Sequence, residues 1–306
     1  MSIAFRLPLP TGFLPGGLSL PALRAADPLA EPIRLGMPHL AYGGLSETWL
    51  LKELGHRHWQ LLARSAGREV PDFRDADGAT VYAAFIAVSV SDAALGAFRE
   101  HDNLVLRSRL ERISRTQFAS RHELLRDGTP MGAVEMTSVF VKRKEAGRNR
   151  ALSRVGLAGF PPPAARPGLA RTAALAATLR AGRYATHFGF ANDARETGLA
   201  LTVRPCPAQD FNGADFLYFA SFQAFVDRAE WEAMEAPAGL FTVARDMVFH
   251  SNVEIGEAVR VTVKARRSEG DHLLHWCVLS RVADGARLAD VFTRRAPATL
   301  AEGKTG

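Results

Sequence analysis

Two short stretches of the sequence place glycine or asparagine ahead of long apolar segments. Gly43-Gly44 precede LSETWLLKELGHRHWQLLAR, and Asn212-Gly213 precede ADFLYFASFQAFVDRAEW. Both segments are typical of a helix, whose unpaired N–H groups and dipole at its start favour negative charge, such as that developing on a thioester carbonyl oxygen. We predict that Gly43, Gly44 and Gly213 bind substrate and Asn212 acts in catalysis, in one pocket between two helix starts. Close helix packing and capping by Asn212 are the structural alternatives.

Residues around the first of these segments add further candidates. His39 lies just before it and could act as an acid or a hydrogen-bond donor, or could be a capping or core histidine. Tyr42 and Ser46 are neighbours of the first turn and are predicted to contact substrate. His56 and His58 are interpreted as partners of the negative end of the helix dipole.

Composition excludes several classes of protein. The chain has 306 residues, of which 47% are hydrophobic and 23% charged, as in a soluble globular protein. No apolar run is long enough to cross a bilayer, and Pro and Gly interrupt the N-terminal segment, so we expect a cytoplasmic protein without a signal peptide or a membrane partner. The net charge of +6 is spread along the chain, which argues against nucleic acid and suits an acidic partner such as coenzyme A or a carrier protein.

The sequence gives no indication of a metal or a permanently bound cofactor. Cys206 and Cys277 are too few and too far apart for a disulfide framework or a zinc site. No spacing among the nine histidines is typical of metal ligands. We interpret both thiols as structural.

The same order of elements occurs twice in the chain. We predict an N-terminal extended arm (1–32), a first unit (33–145), a linker (146–185), a second unit (186–298) and a flexible tail (299–306). In each unit an extended segment precedes a helix and four strands, at 81–90, 103–113, 116–126 and 131–143, and at 241–250, 258–267, 272–282 and 286–295. Asp127-Gly128 and Asp284-Gly285 mark hairpin turns at matching places.

This repeat predicts the fold class. The second helix is apolar almost all round, with Trp231 among its apolar residues, so it must be enclosed. The strands alternate between apolar and polar residues, so each sheet has one dry face. A long helix wrapped by a curved antiparallel sheet satisfies both demands, and two such units side by side form one continuous sheet. We therefore predict an α+β tandem (double) hot-dog, in which an exposed sheet edge could pair again to give a homodimer.

Two motifs connect the chain to a known family. MPHLAYGGLSETWLLKELGHRHW (37–59) and DFNGADFLYFASFQAFVDRAE (210–230) resemble the signature of a hot-dog family encoded in biosynthetic gene clusters. That family is related to the bifunctional acyltransferase/decarboxylase of leinamycin biosynthesis, and the resemblance covers most of residues 33–296. The motif around the first helix differs in detail from that of the leinamycin enzyme.

The resemblance implies an activity and a catalytic residue. The relative converts methylmalonyl-coenzyme A into a propionyl group on an acyl carrier protein, and its active-site tyrosine begins a strand after the first helix. Tyr82 matches that tyrosine. The resemblance thus implies a polyketide-pathway acyltransferase, with or without decarboxylation, whose substrates are a coenzyme A thioester and the phosphopantetheine of a carrier protein. An ordinary strand tyrosine is the structural alternative.

Three other functions remain open from the residues. A hot-dog dehydratase would pair His39 with Asp215, or use Glu47 across the interface. A hot-dog thioesterase would use Glu47 or Asp215 as its base, although both carboxylates also suit the first turn of a helix. A carrier-protein docking module would need no catalytic residue.

Overall fold

A computed structural model describes residues 29–145 and 147–298. Residues 1–28 of the predicted arm, Ala146 and the predicted tail lie outside the described residues. Within them, one antiparallel sheet of eleven strands dominates the architecture. No helix in this part of the chain is long and apolar enough to cross a membrane.

The first half of the chain forms one half of the sheet. Its elements are β1 (Ile33–Arg34), a hairpin of β2 (Leu40–Ala41) and β3 (Gly44–Leu45), α1 (Glu47–Ser65), β4 (Tyr82–Ser91), β5 (Asn103–Arg112), β6 (Gln117–Arg126) and β7 (Thr129–Arg143). The Ser46 hydroxyl caps α1 by accepting from the backbone N–H of Trp49 at 3.2 Å. Leucines at helical spacing then bury one side of α1.

The second half repeats this order. Its elements are β11 (Ala200–Val203), the short helix α3 (Pro207–Asp210), α4 (Phe219–Glu232), β12 (Leu240–Phe249), β13 (Val259–Glu269), β14 (His272–Arg281) and β15 (Arg287–Pro297). The structure confirms the predicted helix before four strands in both halves. The prediction that Trp231 is enclosed with the rest of this helix is wrong, because its side chain is 64% exposed on α4.

A short strand pairing joins the halves. β4 and β12 pair antiparallel, with Val88 opposite Met247, which gives the strand order β1-β5-β6-β7-β4-β12-β15-β14-β13-β11. Both helices contribute to one apolar core on the same face of the sheet, which we call the inner face. Leu54 of α1 and Phe222 of α4 are fully or almost fully buried there.

The segment between the halves is folded against the opposite, outer face. It contains β8 (Leu152–Arg154), which pairs with the end of β7, α2 (Arg171–Arg180), and a hairpin of β9 (Thr186–His187) and β10 (Phe190–Ala191). Ala176 and Leu179 of α2 pack with Trp276 and Phe292 of the outer face. The Pro- and Gly-rich composition of this segment predicts a linker, but its apolar residues cover the sheet.

The first half also buries a hydrogen-bonded chain of hydroxyl and imidazole groups. The Ser120 hydroxyl lies 2.7 Å from His58 Nδ1 and 2.9 Å from His122 Nε2. The remaining ring nitrogens bond to Ser138 and Ser108, each at 2.8 Å. Burial lowers the pKa of His58 to about 3 and that of His122 well below its usual value. His58 is therefore a buried residue in the middle of α1 and not a partner of the helix end.

We expect these two histidines to make the fold sensitive to acid. Unfolding lets both imidazoles take up protons below about pH 6.5, whereas the native state keeps them neutral, so the free energy of unfolding falls with decreasing pH by about 1.4 kcal/mol per pH unit for each histidine. Urea unfolding between pH 7.5 and pH 4.5 measures this slope. The double change His58→Gln and His122→Gln should flatten it, and His56→Gln, on the exposed side of α1, should not. An unchanged slope in the double variant would contradict this account.

Candidate functional site

A cavity of about 820 Å³ lies where the two halves meet. β4 pairs with β12 only over residues 87–90 and 245–248, so the start of β4 has no partner strand on that side. The cavity lies between this unpaired start, the residues after β12 and the start of α4. We call it the Tyr82 cavity.

One part of the wall of the Tyr82 cavity is aromatic. Phe85 and Phe219 contact each other with ring centroids 4.5 Å apart, and Phe222 and Phe249 with centroids 5.2 Å apart. All four line the cavity and belong to, or pack against, the inner-face core. This wall can accommodate an apolar group such as an acyl chain.

Tyr82, the first residue of β4, lines the cavity. Its ring packs edge-on against Phe216 with centroids 5.4 Å apart, and the Arg143 guanidinium lies over the Phe216 ring at 4.2 Å. These contacts fix the ring. In the described part of the chain the Tyr82 hydroxyl has no hydrogen-bond partner, so it is available as a donor to a ligand.

Asn212 and Gly213 also line the cavity, but they lie in a loop before α4 and not at the helix start. Asn212 Oδ1 accepts from the backbone N–H groups of Ala214 at 3.0 Å and Phe216 at 3.1 Å, and Asp215 follows with a φ of +59°. The prediction of a helix from residue 214 is therefore wrong at its start, because this turn delays the helix to Phe219. No described residue bonds to Asn212 Nδ2, which leaves an amide donor at the cavity.

Tyr218 provides a second phenol on the cavity wall. It precedes α4, and burial raises its pKa to about 12, so it is a neutral donor at physiological pH. Its hydroxyl approaches α1 so closely that a Cβ atom on Gly55 would lie 2.5 Å away. The glycine at this position therefore allows α4 to bring Tyr218 against α1.

A histidine–aspartate pair lies on another part of the wall. His250 follows β12, lines the cavity and bonds through Nε2 to Asp290 Oδ2 at 2.8 Å. Trp276 Nε1 donates to Asp290 Oδ1 at 2.8 Å, and these hydrogen bonds, together with Arg287, hold the pKa of the Asp290 carboxyl below its usual value against the effect of burial. When Asp290 accepts a hydrogen bond from Nε2–H, the His250 tautomer with an unprotonated Nδ1 can accept a proton at that atom.

No aspartate or glutamate among the described residues lines the Tyr82 cavity. The charged side chains on its wall are Arg150, Arg154 and Arg180. The site therefore favours anionic ligands. No group of three or more potential metal ligands occurs among the residues that the structure describes.

Gly43 and Gly44 lie at the other end of the β4–β12 pairing and do not line the Tyr82 cavity. A Cβ atom on Gly43 would lie 2.9 Å from the Phe241 ring, and one on Gly44 would lie 2.5 Å from the Leu95 carbonyl oxygen. Phe241 thus fills the space ahead of α1. The predicted single pocket between both glycine-containing stretches is not formed, because the two helices begin at opposite ends of the pairing.

Glu47, the first residue of α1, lies in a buried network of charges at this closed end. Its Oε1 pairs with Arg245 Nε at 2.9 Å, and its Oε2 accepts from the Thr242 hydroxyl at 2.5 Å. Arg245 also pairs with Asp227 at 2.7 Å, and Arg295 Nε pairs with Glu230 at 2.5 Å.

These pairs determine the protonation of the network. Burial raises the pKa of Glu47, and Arg245 opposes that shift. Burial alone would raise the pKa of Glu230 as well, but Arg295 and His275 hold it far below its usual value. Glu47 thus stabilises Arg245, whose side chain is fully buried, and is not free to act on a ligand.

The other predicted site residues, His39, Tyr42, Ser46 and Asp215, lie outside the Tyr82 cavity. His56 of α1, interpreted from the sequence as a partner of the helix dipole, lines it. His39 Nδ1 accepts from the backbone N–H of Gly36 at 2.9 Å, and its ring packs edge-on against Trp49. Tyr42 is 81% exposed, and Ser46 is the cap of α1. Asp215 is exposed in the loop before α4. Of the predicted site residues, the cavity brings together Tyr82, Asn212 and Gly213.

Sequence reasoning missed His250, Arg154 and Arg180. The histidine lies at the end of a predicted strand and Asp290 within another, but only the register of β12 with β15 places them together. Arg154 and Arg180 belong to the segment interpreted as a linker. A composition rich in proline, glycine and arginine gave no signal of a cavity wall.

The sequence matches no family model and no curated protein. Among solved structures, a Lactobacillus plantarum protein assigned as an oleoyl thioesterase aligns with a TM-score of 0.60 and 12% identity, covering 88% of this chain and 96% of that one. The 12:0-ACP thioesterase of Umbellularia californica aligns with a TM-score of 0.57 and 11% identity, covering 87% and 93%. An acyl-ACP thioesterase of Bacteroides thetaiotaomicron aligns with a TM-score of 0.56 and 11% identity, covering 87% and 96%.

At such low identity these likenesses concern the fold alone. They agree with the large antiparallel sheet and its few helices, and the predicted hot-dog fold is confirmed in this general form.

The two carboxylates predicted as acid/base alternatives should respond differently to neutral substitution. Glu47→Gln should lower the free energy of unfolding by about 3 kcal/mol, because Arg245 loses a charged partner in the core. Asp215→Asn, at an exposed position, should change it by less than about 0.5 kcal/mol and leave activity intact. Urea unfolding and activity assays on both variants measure this. A Glu47→Gln protein of unchanged stability but no activity would instead identify Glu47 as a reacting group.

Proposed function

We propose that the protein is a double hot-dog enzyme that acts on acyl groups bound to pantetheine, with hot-dog units at 33–145 and 186–298. The observation that carries the proposal is the Tyr82 cavity. It combines an aromatic wall, arginines, and the donors of Tyr82 and Asn212. No described residue bonds to these donors, and no carboxylate of the described residues lines the cavity. The thioesterases with a similar fold support this class of substrate.

We propose that the reaction is acyl transfer from malonyl- or methylmalonyl-coenzyme A to an acyl carrier protein, with or without decarboxylation. In the decarboxylating form, the bond between the α-carbon and the carboxylate carbon breaks, and carbon dioxide leaves. The electron pair of that bond stays with the α-carbon and forms a thioester enolate. The enolate takes a proton from solvent at carbon. The carrier's phosphopantetheine thiol then gives up its proton and displaces coenzyme A at the carbonyl, and the departing coenzyme A thiolate takes up a proton.

The residues of the cavity fit this sequence of steps. Forming the enolate needs donors to its oxygen and no base. This suits Tyr82 and Asn212 in a cavity whose described lining residues include no carboxylate. His250 Nδ1 can accept the proton of the attacking thiol. A homodimer and a cytoplasmic location stay predictions.

Hydrolysis is the second candidate function, and the His250–Asp290 pair favours it. A histidine oriented by an aspartate can activate water against a thioester carbonyl. In that case Glu47 and Asp215, the bases predicted for a thioesterase, take no part.

Intact-mass analysis tests the reaction. The protein is incubated with a phosphopantetheine-bearing carrier protein and malonyl- or methylmalonyl-coenzyme A. We expect the carrier to gain the mass of an acetyl or propionyl group if carbon dioxide is lost, or of a malonyl or methylmalonyl group if it is not. Release of free acid with an unmodified carrier would indicate hydrolysis, and no change across a panel of acyl donors would overturn the proposed function.

Two substitutions separate the candidates. Tyr82→Phe removes the donor to the enolate and should lower the rate of decarboxylation about 100-fold. His250→Gln should instead lower hydrolysis, or the transfer of the acyl group to the carrier thiol, and should leave the decarboxylation step itself unchanged. The matched controls are Tyr184→Phe, which removes a hydroxyl outside the cavity, and His187→Gln, which breaks a comparable pair with Asp246 of 2.9 Å. Loss of activity in the controls equal to that in the cavity variants would contradict both assignments.

A further inference from the structure

Arg180 is a cation without a carboxylate partner on the wall of the Tyr82 cavity. It is the last residue of α2, and its Nη2 donates to the backbone carbonyl of Phe249, which fixes the guanidinium at the cavity. Its Nε is buried and bonds to none of the described residues. Within the described ranges, no aspartate or glutamate forms an ion pair with it.

Arg154 adds a second such charge. It ends β8, where it lies opposite Val141 of β7, and it is exposed at the cavity without an ion pair to any described carboxylate. Burial, and secondarily the charge of Arg154, lower the pKa of Arg180. Both arginines line the same cavity, so an anion bound there is attracted by both charges.

The third arginine of the wall is different. Arg150 pairs with Glu257 and lies 4.0 Å from Asp284, so described carboxylates already neutralise it. Arg154 and Arg180 are therefore the arginines of the wall that pair with no described carboxylate, and we call them the arginine rim. The aromatic wall and the arginine rim belong to the same cavity. A ligand that occupies both has an apolar reacting group and an anionic group.

We infer that the arginine rim binds the phosphate at the end of a pantetheine arm, while the acyl thioester lies along the aromatic wall. This deepens the proposed function and rests on it. Coenzyme A and a carrier-bound phosphopantetheine share this phosphate, so a rim that recognises it would serve both the donor and the acceptor of an acyl transfer. Guanidinium groups suit phosphate because they donate paired hydrogen bonds.

Calorimetric titration of the full chain tests the inference without requiring turnover. The ligands are coenzyme A, 4′-phosphopantetheine and pantetheine, the last of which lacks the phosphate. We expect Arg180→Gln and Arg154→Gln each to weaken binding of the two phosphorylated ligands about tenfold, as expected for one charge-assisted hydrogen bond, and pantetheine binding less than twofold. Arg183→Gln removes the same charge beyond the end of α2, away from the cavity, and should change none of them.

Each outcome has a defined meaning. Weaker binding of coenzyme A alone would assign the rim to its nucleotide phosphates and overturn the shared role. Equal losses for pantetheine, or none for any ligand, would overturn the inference, as would a wild-type protein that binds neither phosphorylated ligand. Arg154 is exposed, so its variant keeps the test valid if Arg180→Gln fails to fold. Rim-dependent binding without acyl transfer would refute the proposed function alone.

Discussion

The architecture depends on a short pairing between β4 and β12. Only residues 87–90 and 245–248 pair, yet this pairing makes one sheet from two halves and brings both central helices against a shared core. Because the pairing is short, the strand starts extend beyond it at both ends, and each end faces the beginning of a helix from the other half. The molecule therefore has two similar interfaces, and side chains decide which of them is open.

The backbone at the two ends is similar and the chemistry is opposite. β4 and β12 each have a bulge near their start, after Phe85 and after Thr242, and left-handed residues, Gly43 and Asp215, precede the helices. At one end Thr242 bonds to Glu47, the first residue of α1; at the other, Phe85 packs on Phe219, the first residue of α4. Buried charges are costly unless each has its partners, so the first end is filled by its network. Aromatic side chains need no charged partners, so the end at Phe85 and Phe219 can keep a cavity for a ligand.

The sequence predicts the elements well because their signals are local. Periodicity and Asp-Gly turns place both helices and the long strands within a few residues, since these depend on neighbours in the chain. The site depends on distant pairings. Glu47 and Arg245, and likewise Arg180 and Phe249, meet only after the sheet has formed. Tyr82 was predicted through a family resemblance, whereas the separation of the two helix starts required the register of the sheet.

Carboxylates and unpaired arginines are distributed unequally between the two ends of the β4–β12 pairing. The buried carboxylates Glu47 and Glu230 and the half-buried Asp227 lie at the closed end with their arginines, and no carboxylate of the described residues lines the Tyr82 cavity. An arginine bound to the carboxylate of a malonyl group would stabilise that group before reaction and slow the loss of carbon dioxide. In the proposed binding mode the arginine rim contacts the phosphate of the ligand instead, so it supplies affinity without stabilising the carboxylate that leaves. A carboxylate held instead beside Phe85 and Phe219 would lose solvation, and that loss is relieved when uncharged carbon dioxide departs.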